Sequence, residues 1–344
     1  MQPLVSIVTP SYNQAKYLEQ TIQSVLGQDY AQIEYLVVDG GSTDGSVEII
    51  KKYAIPLESG SLLPDKQKQV SPSRASRDHG DASALQSSID WWLSEKDSGQ
   101  GEAINKGLGR ANGEILAWLN SDDYYLPGTF SAMVKVFEEN PDVVMVYGDM
   151  LAVDERGQTM NALKYKQLSL QDLLCFQIIG QPSVFFRRDV LKETGGLDTT
   201  FHFLLDHHLW IRIAQRGRIL HVSQTWAAAR YHAEAKNRAR AAEFGREAFR
   251  ILDWAKTQPG LAEAVSGVER RARASANRVD ARYLLDGGQP WSALKAWTRA
   301  LFIHPPTALA RLNILVSALL HLSGLRVLRE YILRTRRRRI SGNE

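Results

Sequence analysis

The chain has 344 residues, 44% hydrophobic and 23% charged, with a net charge of +4. That is the composition of a soluble globular protein, longer than one compact core needs. A single cysteine, Cys175, excludes an internal disulfide and fits a reducing compartment, and so small a net charge argues against nucleic acid as a partner.

Residues 4–8 read as a buried first strand running into Thr9-Pro10-Ser11-Tyr12-Asn13, where Pro and Asn mark a turn. The run is far too short for the apolar region of a signal peptide, so no leader is expected. Residues 16–26 carry helical spacing through Tyr17, Leu18, Ile22, Val25 and Leu26. A second strand, 33–38, ends on the carboxylate of Asp39, and Gly40-Gly41-Ser42-Thr43-Asp44-Gly45 then opens a helix through about Tyr53. Strands alternating with helices predict a parallel βαβ arrangement. Residues 55–90 are rich in Ser, Pro and charge and lose the periodicity, which predicts a surface insertion dispensable for folding.

Regular structure resumes at Trp91-Trp92-Leu93, and a helix around residues 103–107 leads into the apolar run 114–119. This run suits a buried central strand and stops abruptly at Asn120-Ser121-Asp122-Asp123. Carboxylates at the carboxyl end of a central strand stand where open α/β sheets bind ligands. Hard oxygens there suit Mg²⁺ or Mn²⁺, which usually also takes oxygens from a substrate phosphate. The competing reading is that Asp122 or Asp123 only caps the helix starting near Pro127.

Further on come a helix at 127–139, a strand at 143–147 ending in Gly148-Asp149, a hairpin at 151–160 and a strand at 181–186. Asp149 is either an acidic group near an acceptor or a strand-end cap. A helix starts at Leu205 with Asp206 near its N-terminus, and residues 219–231 return as strand and loop with His232 behind them. Asp206 could serve only as a helix cap, and Asp39 and Asp44 only turn geometry. His207 and His208 read as helix surface or packing, and Trp91, Trp92 and Trp118 as core.

From about residue 237 the composition is helical. Residues 281–305 look like one tetratricopeptide-type hairpin, too little for a solenoid and therefore an appendage. Residues 309–325 are apolar but interrupted by Arg311, Asn313 and His321, short and polar for a membrane span. A buried helix pair or an interfacial helix beside the cluster Arg334 and Arg336–Arg339 are the two readings.

The sequence has no Gly-x-Gly-x-x-Gly after the first strand and no Gly-x-x-x-x-Gly-Lys-Ser/Thr, so neither a dinucleotide oxidoreductase nor a P-loop hydrolase is favoured. Bare carboxylates repel phosphate, so such a site must bind a diphosphate through a metal.

Taken in order, five segments resemble family 2 glycosyltransferases with the GT-A fold. They are residues 5–13 (VSIVTPSYN), 38–44 (VDGGSTD), 95–100 (EKDSGQ), 103–107 (AINKG) and 120–123 (NSDD); 205–210 (LDHHLW) and 230–232 (RYH) extend the match to about residue 236. The resemblance implies a Rossmann-like mixed α/β sheet flanked by helices, with a catalytic domain at 1–236 and a helical region with a basic tail at 237–344. Pro10 and Tyr12 would line a uracil or other base, and Asp39 would bond its edge. Asp97 would lie near the nucleoside and Lys106 near the sugar or diphosphate. Thr9, Asn120, Ser121 and Asp122 complete the nucleotide-sugar set. Asp122 and Asp123 match the DxD-type element that holds the divalent ion, although Asn120 stands at its first position; His232 would be a further metal ligand and Asp206 the catalytic base.

The implied activity is metal-dependent, inverting transfer of a sugar from a nucleotide-diphosphate donor, of UDP type, to a glycan or lipid-linked acceptor in cell-surface polysaccharide synthesis. The expected location is cytoplasmic, with peripheral contact to an anionic inner membrane face. A non-catalytic nucleotide-sugar or glycan-binding module is the alternative. A degenerate protein of that kind would tend to lose Asp206 or one of Asp122 and Asp123, and all three are present.

Overall fold

The computed structural model describes residues 2–54, 88–232 and 241–325. Among them one nine-stranded mixed sheet carries the fold. Its strands are β1 Val5–Ser11, β2 Ile33–Asp39, β3 Trp91–Ser94, β4 Ile115–Trp118, β5 Tyr124–Tyr125, β6 Val143–Val153, β7 Thr159–Leu163, β8 Val184–Arg187 and β9 Arg218–Arg230. The spatial order is β3-β2-β1-β4-β8-β6-β9-β5, with β7 paired to β6. β3, β2, β1 and β4 run parallel, so the ends of β1, β2 and β4 lie side by side. β8 is antiparallel to β4 and β6, β6 is parallel to β9, and β5 is antiparallel to β9.

The parallel strands are buried on both faces, and residue parity assigns each side chain to a layer. Val5, Ile7, Tyr35, Val37, Ile115, Ala117 and Phe185 pack on one face against helices Ala15–Leu26 and Thr129–Glu139. Val8, Leu36, Val38, Leu116, Trp118 and Phe186 pack on the other, against Ile104 of helix Gln100–Arg110 and Trp210 of helix Leu205–Ala214. This second core continues without a gap into Phe244, Ala248, Ile251 and Leu252 of helix Ala241–Thr257 and Val279 of helix Glu269–Asp286. The expected helical hairpin is formed by Glu269–Asp286 and Pro290–Ile303.

Three sequence expectations are revised. The insertion read at 55–90 ends earlier than 90: Ile89 is buried and bridges Ala54, and the Tyr35 backbone N–H donates to the Asp90 carboxylate at 2.9 Å. Residues 55–87 lie outside the described residues. β6 does not stop at Gly148-Asp149 but runs on to Val153 through a bulged register against β9, so Asp149 is a mid-strand residue. Residues 181–183 form a 3₁₀ turn, and β8 starts only at Val184.

In helix Leu312–Leu322, Ile314 and Ala318 face the helical core while Val316 and Leu319 are exposed. Among the described residues no helix is long and apolar enough to cross a membrane. The arginine cluster at 334–339 lies outside the described residues.

Candidate active site

β4 ends at Trp118, and the Leu119 N–H still donates to the Val8 carbonyl of β1, so the following turn is held against the end of β1. In that turn the Asp123 N–H donates to the Asn120 carbonyl. The Thr21 hydroxyl, from the first helix, lies 3.0 Å from the Ser121 carbonyl and 2.7 Å from that of Asp123. The two carboxylates then diverge. Asp123 turns inward, 6% exposed, and accepts from the Arg230 N–H at 2.9 Å and the Asn120 amide at 3.3 Å. Burial, and then the charge of Asp122, raise its pKa well above the usual carboxylate value. Asp122 stays partly exposed, and its Oδ2 meets His232 Nε2 at 2.9 Å.

Arg230, at the end of β9, fixes this pair. Its Nε donates to the Asp122 carbonyl at 3.0 Å, and Nη1 reaches the carbonyls of Asp154 and Glu155 at 3.1 Å each. Nη2 reaches Gln20, and the guanidinium lies 4.7 Å from the centre of the Tyr17 ring. Tyr17 also packs against the His232 ring, with centroids 5.2 Å apart. The helix Thr129–Glu139 is preceded by Gly128 with no side-chain cap, so neither Asp122 nor Asp123 caps it.

Beside this turn the expected nucleotide residues divide into support and surface. Asp39 is fully buried. It accepts from the N–H groups of Gly41 (3.0 Å) and Ser42 (2.9 Å) and from the hydroxyls of Ser94 (2.7 Å) and Ser42 (2.5 Å). Asp44 likewise accepts from Ala15 N–H and from the Ser46 N–H and hydroxyl. Thr9 is also fully buried, its hydroxyl accepting from Tyr35 at 3.0 Å within the sheet layer. Pro10 is buried, whereas Tyr12 is 61% exposed and open to a ligand. Asp97 accepts from Gly99 N–H at 2.9 Å, and its Oδ2 lies 2.8 Å from where a Cβ on Gly40 would stand, so a side chain there would push the Asp97 carboxylate aside. Lys106 is shared by Glu95 at 3.0 Å and Glu102 at 2.7 Å. Ser121 is buried.

A cavity of about 230 Å³ opens next to the Asp122 turn. Its walls include Gln100 and Asn120, joined at 2.6 Å, Trp118 of β4, His202 and Asp206. Asp206 sits in the first turn of helix Leu205–Ala214, but the capping position is Leu204, so Asp206 is not its N-cap. Its Oδ1 accepts from the His207 N–H at 2.7 Å. Burial pushes its pKa up to about 6, with the charge of Glu247 adding to the rise. His207 and His208 are buried packing rather than helix surface. His207 Nε2 lies 2.9 Å from the Leu173 carbonyl, and His208 is packed between Phe201 and Trp254. Burial lowers their pKa values to about 4 and about 3.

Asp149 is neither a cap nor an open acidic group. It is 2% exposed and bonded to Tyr165 N–H, His221 Nε2 and Lys164, tying β6 to β9 and to the chain after β7.

The described residues contain no group of three or more His, Cys, Asp or Glu side chains arranged as a metal cage. Asp122 and His232 offer one carboxylate oxygen and one imidazole nitrogen at hydrogen-bond distance. That donor set fits a divalent ion whose remaining positions are filled by phosphate oxygens and water.

Two contributors escaped the sequence reading as individual roles. Arg230 was visible only as part of a motif, because its partners lie between 75 and 210 residues away in sequence. Glu247, which is 3% exposed, accepts from the N–H groups of His202, Phe203 and Leu204 directly before the Asp206 helix. The available signal was a carboxylate inside the apolar stripe of Phe244, Ala248, Ile251 and Leu252.

The sequence matches the family profile described as Glycosyl transferase family 2 over residues 6–95 and 91–195. It is 28% identical over 203 residues to an uncharacterized glycosyltransferase of Nostoc sp., covering 56% of this chain and 54% of that protein. It is 26% identical over 219 residues to TuaG of Bacillus subtilis, assigned by name to teichuronic acid biosynthesis, covering 63% of this chain and 74% of that one. The chain spans about half the length of the Nostoc relative and 35% of a Rickettsia felis glycosyltransferase. Among solved structures, Staphylococcus aureus TarS 1–349 in complex with UDP-GlcNAc superposes with a TM-score of 0.56 at 17% identity, covering 89% of this chain and 82% of that one. The mannosyltransferase PcManGT of Pyrobaculum calidifontis, in complex with GDP-Man and Mn²⁺, gives 0.57 at 17% identity, covering 94% and 88%. At such identity the two structures show a shared fold.

Proposed function

The chain belongs to glycosyl transferase family 2, and on that premise we propose that it is a metal-dependent, inverting transferase. It moves a sugar from a nucleotide-diphosphate donor, of UDP type, to a hydroxyl of a glycan or lipid-linked acceptor in surface polysaccharide synthesis. One observation carries the reading. The Asp122–His232 pair belongs to the turn that begins at Asn120, and Asn120, bonded to Gln100, lines the same cavity as a proton-accepting Asp206. The relative named for teichuronic acid biosynthesis and the neighbour bound to UDP-GlcNAc support the substrate class.

In this reading Asp122 and His232 hold Mg²⁺ or Mn²⁺, with Asp123 locked behind them by Arg230 and Asn120. The ion supplies positive charge to the leaving nucleoside diphosphate. Tyr12 and Pro10 line the base, and Asp39, Thr9 and Ser121 shape the floor beneath. Asp97 and Lys106 border the nucleoside and diphosphate. Asp206 accepts the proton of the acceptor hydroxyl as its oxygen bonds to the anomeric carbon and the bond from that carbon to the diphosphate oxygen breaks. The pKa near 6 keeps Asp206 ionised at neutral pH yet basic enough to take the proton. No covalent enzyme intermediate is required.

The test is a panel of nucleotide sugars with Mn²⁺, scored for nucleoside diphosphate release with and without chelator. Release from one donor, abolished by verified metal removal, is expected. Tight donor binding with no release under any condition would favour a binding module instead.

We also propose peripheral contact with an anionic membrane, supported by the exposed Val316 and Leu319 and by the arginines at 334–339. Co-sedimentation that is equal on neutral and anionic liposomes would reject it.

A further inference from the structure

We infer that Glu247 is a positioning residue for the acceptor-side base: from the C-terminal helices, beyond the stretch that matches the family profile, it holds the loop that leads into the helix turn carrying Asp206. This rests on the reading of Asp206 as the base.

Three successive backbone N–H groups converge on one carboxylate. His202 N–H donates to Oε1 at 2.7 Å, and Phe203 and Leu204 N–H donate to Oε2 at 2.8 Å each. Successive amides aimed at one point form an anion nest, and bonds to an ionised acceptor are stronger than neutral ones. Glu247 therefore acts as an internal anion for that nest. Leu204 is also the capping position of the helix, and its carbonyl accepts the first intrahelical bond, from His208 N–H at 2.9 Å. The loop geometry that Glu247 imposes thus passes into Asp206 within two residues.

The grip is wider than one side chain. Phe244, Glu247 and Arg250 recur at a spacing of three on helix Ala241–Thr257, which places them on one face. Phe244 packs on Phe203 with ring centroids 4.8 Å apart. Arg250 donates to the carbonyl and the hydroxyl of Thr200 at 3.1 Å each and lies over the Phe201 ring. Residues 200–204 are therefore bound along their length by one helix.

The carboxylate also places a fixed negative charge near Asp206, which favours the protonated form of the base. The other polar side chains that share the cavity wall with Asp206 are Gln100, Asn120, Gln181, His202, His207 and, from helix Glu269–Asp286, Tyr283.

The test uses the full chain with Glu247→Gln, which keeps shape but offers a single acceptor oxygen to three amides and no charge, and with Asp206→Asn as reference. The carboxyl titration of ¹³C-labelled protein, with Asp206 assigned by its loss in Asp206→Asn, reads the base without a substrate. Amide proton shifts of His202, Phe203 and Leu204 read the nest. UDP release from UDP-sugars with Mn²⁺ reads turnover. In Glu247→Gln the Asp206 midpoint should move to lower pH and the three amide protons should move upfield. Turnover should fall about 10–100-fold, the scale of a displaced catalytic group, with donor KM nearly unchanged. An unchanged midpoint with wild-type turnover would overturn the inference. So would a fall in turnover matched by a rise in donor KM with the midpoint unmoved, which marks general loosening of the fold. If Asp206→Asn keeps full turnover, the base reading fails by itself, and the midpoint and amide shifts still decide whether Glu247 governs Asp206.

Discussion

Asp39 and Asp206 are carboxylates of the same site in opposite circumstances. Asp39, at the end of β2, is fully buried and accepts four bonds from Gly41, Ser42 and Ser94. Asp206, beside the end of β4, accepts a side-chain bond from the His207 N–H, and burial raises its affinity for a proton. A carboxylate whose lone pairs are met by donors is a structural anion; one short of donors in a partly buried cavity wall is a base in waiting. The β1 and β2 loops are built from the first kind and the first turn of helix Leu205–Ala214 holds the second. Substitutions should therefore separate stability from turnover across the site.

The sharpest separation is at Asp206. Asp206→Asn keeps shape and the bond from His207 but cannot accept a proton, so turnover should fall by about 10²–10⁴-fold with donor affinity nearly unchanged. Steady-state kinetics against donor concentration read both; wild-type turnover in a folded variant would remove Asp206 from the chemistry. Asp122→Ala comes next. Losing the exposed half of the Asp122–His232 pair should lower turnover by roughly 100-fold and weaken Mn²⁺ binding, measured by calorimetry in the presence of donor. Unaltered Mn²⁺ affinity would move the ion site elsewhere.

The contrast also marks what the sequence could and could not carry. The unbroken apolar runs of β1, β2 and β4 are a local property, so Ile33–Asp39 and Ile115–Trp118 appear where those runs place them. The mixed GT-A-type sheet flanked by helices followed from them and from the ordered motifs, but the short strand Tyr124–Tyr125 did not. Long-range partners left no local trace. Gly148 reads as a strand terminator, yet it is glycine because the Trp226 ring of β9 stands 2.7 Å from where its Cβ would be, and β6 continues past it. Adjacent Asp122 and Asp123 look equivalent on the page. The Arg230 N–H, 107 residues on, is what draws Asp123 inward and leaves Asp122 to His232. Glu247 reads as an ordinary helix glutamate until its three amide donors come into view.

The other side of the comparison is tested at Asp39. Asp39→Asn replaces one acceptor oxygen with an amide that must face N–H or O–H donors in a dry site. Loss of about 2–4 kcal/mol of stability is expected from urea unfolding at pH 7. A variant of wild-type stability that no longer binds donor would instead make Asp39 a contact to the nucleotide base.

The smallest effect runs against intuition, because the variant that loses most activity should gain stability. The folded pKa of Asp206 lies at about 6, above the roughly 3.9 of an unfolded aspartate. Between these values the folded state holds a proton that the unfolded state has released, so stability falls as pH rises from about 4 to about 6 and stays reduced above that. The full shift would correspond to about 3 kcal/mol. Asp206 is only partly buried and solvent screens it, which brings the expected figure to about 1–2 kcal/mol. Asn is neutral throughout and escapes the penalty. Thermal unfolding of both proteins in chelator should therefore show Asp206→Asn more stable at pH 8, with the gap closing as pH drops to 4. A gap that stays constant with pH would mean that Asp206 ionises in the fold as easily as in the open chain. It would then belong with Asp39 as a structural carboxylate, not a base.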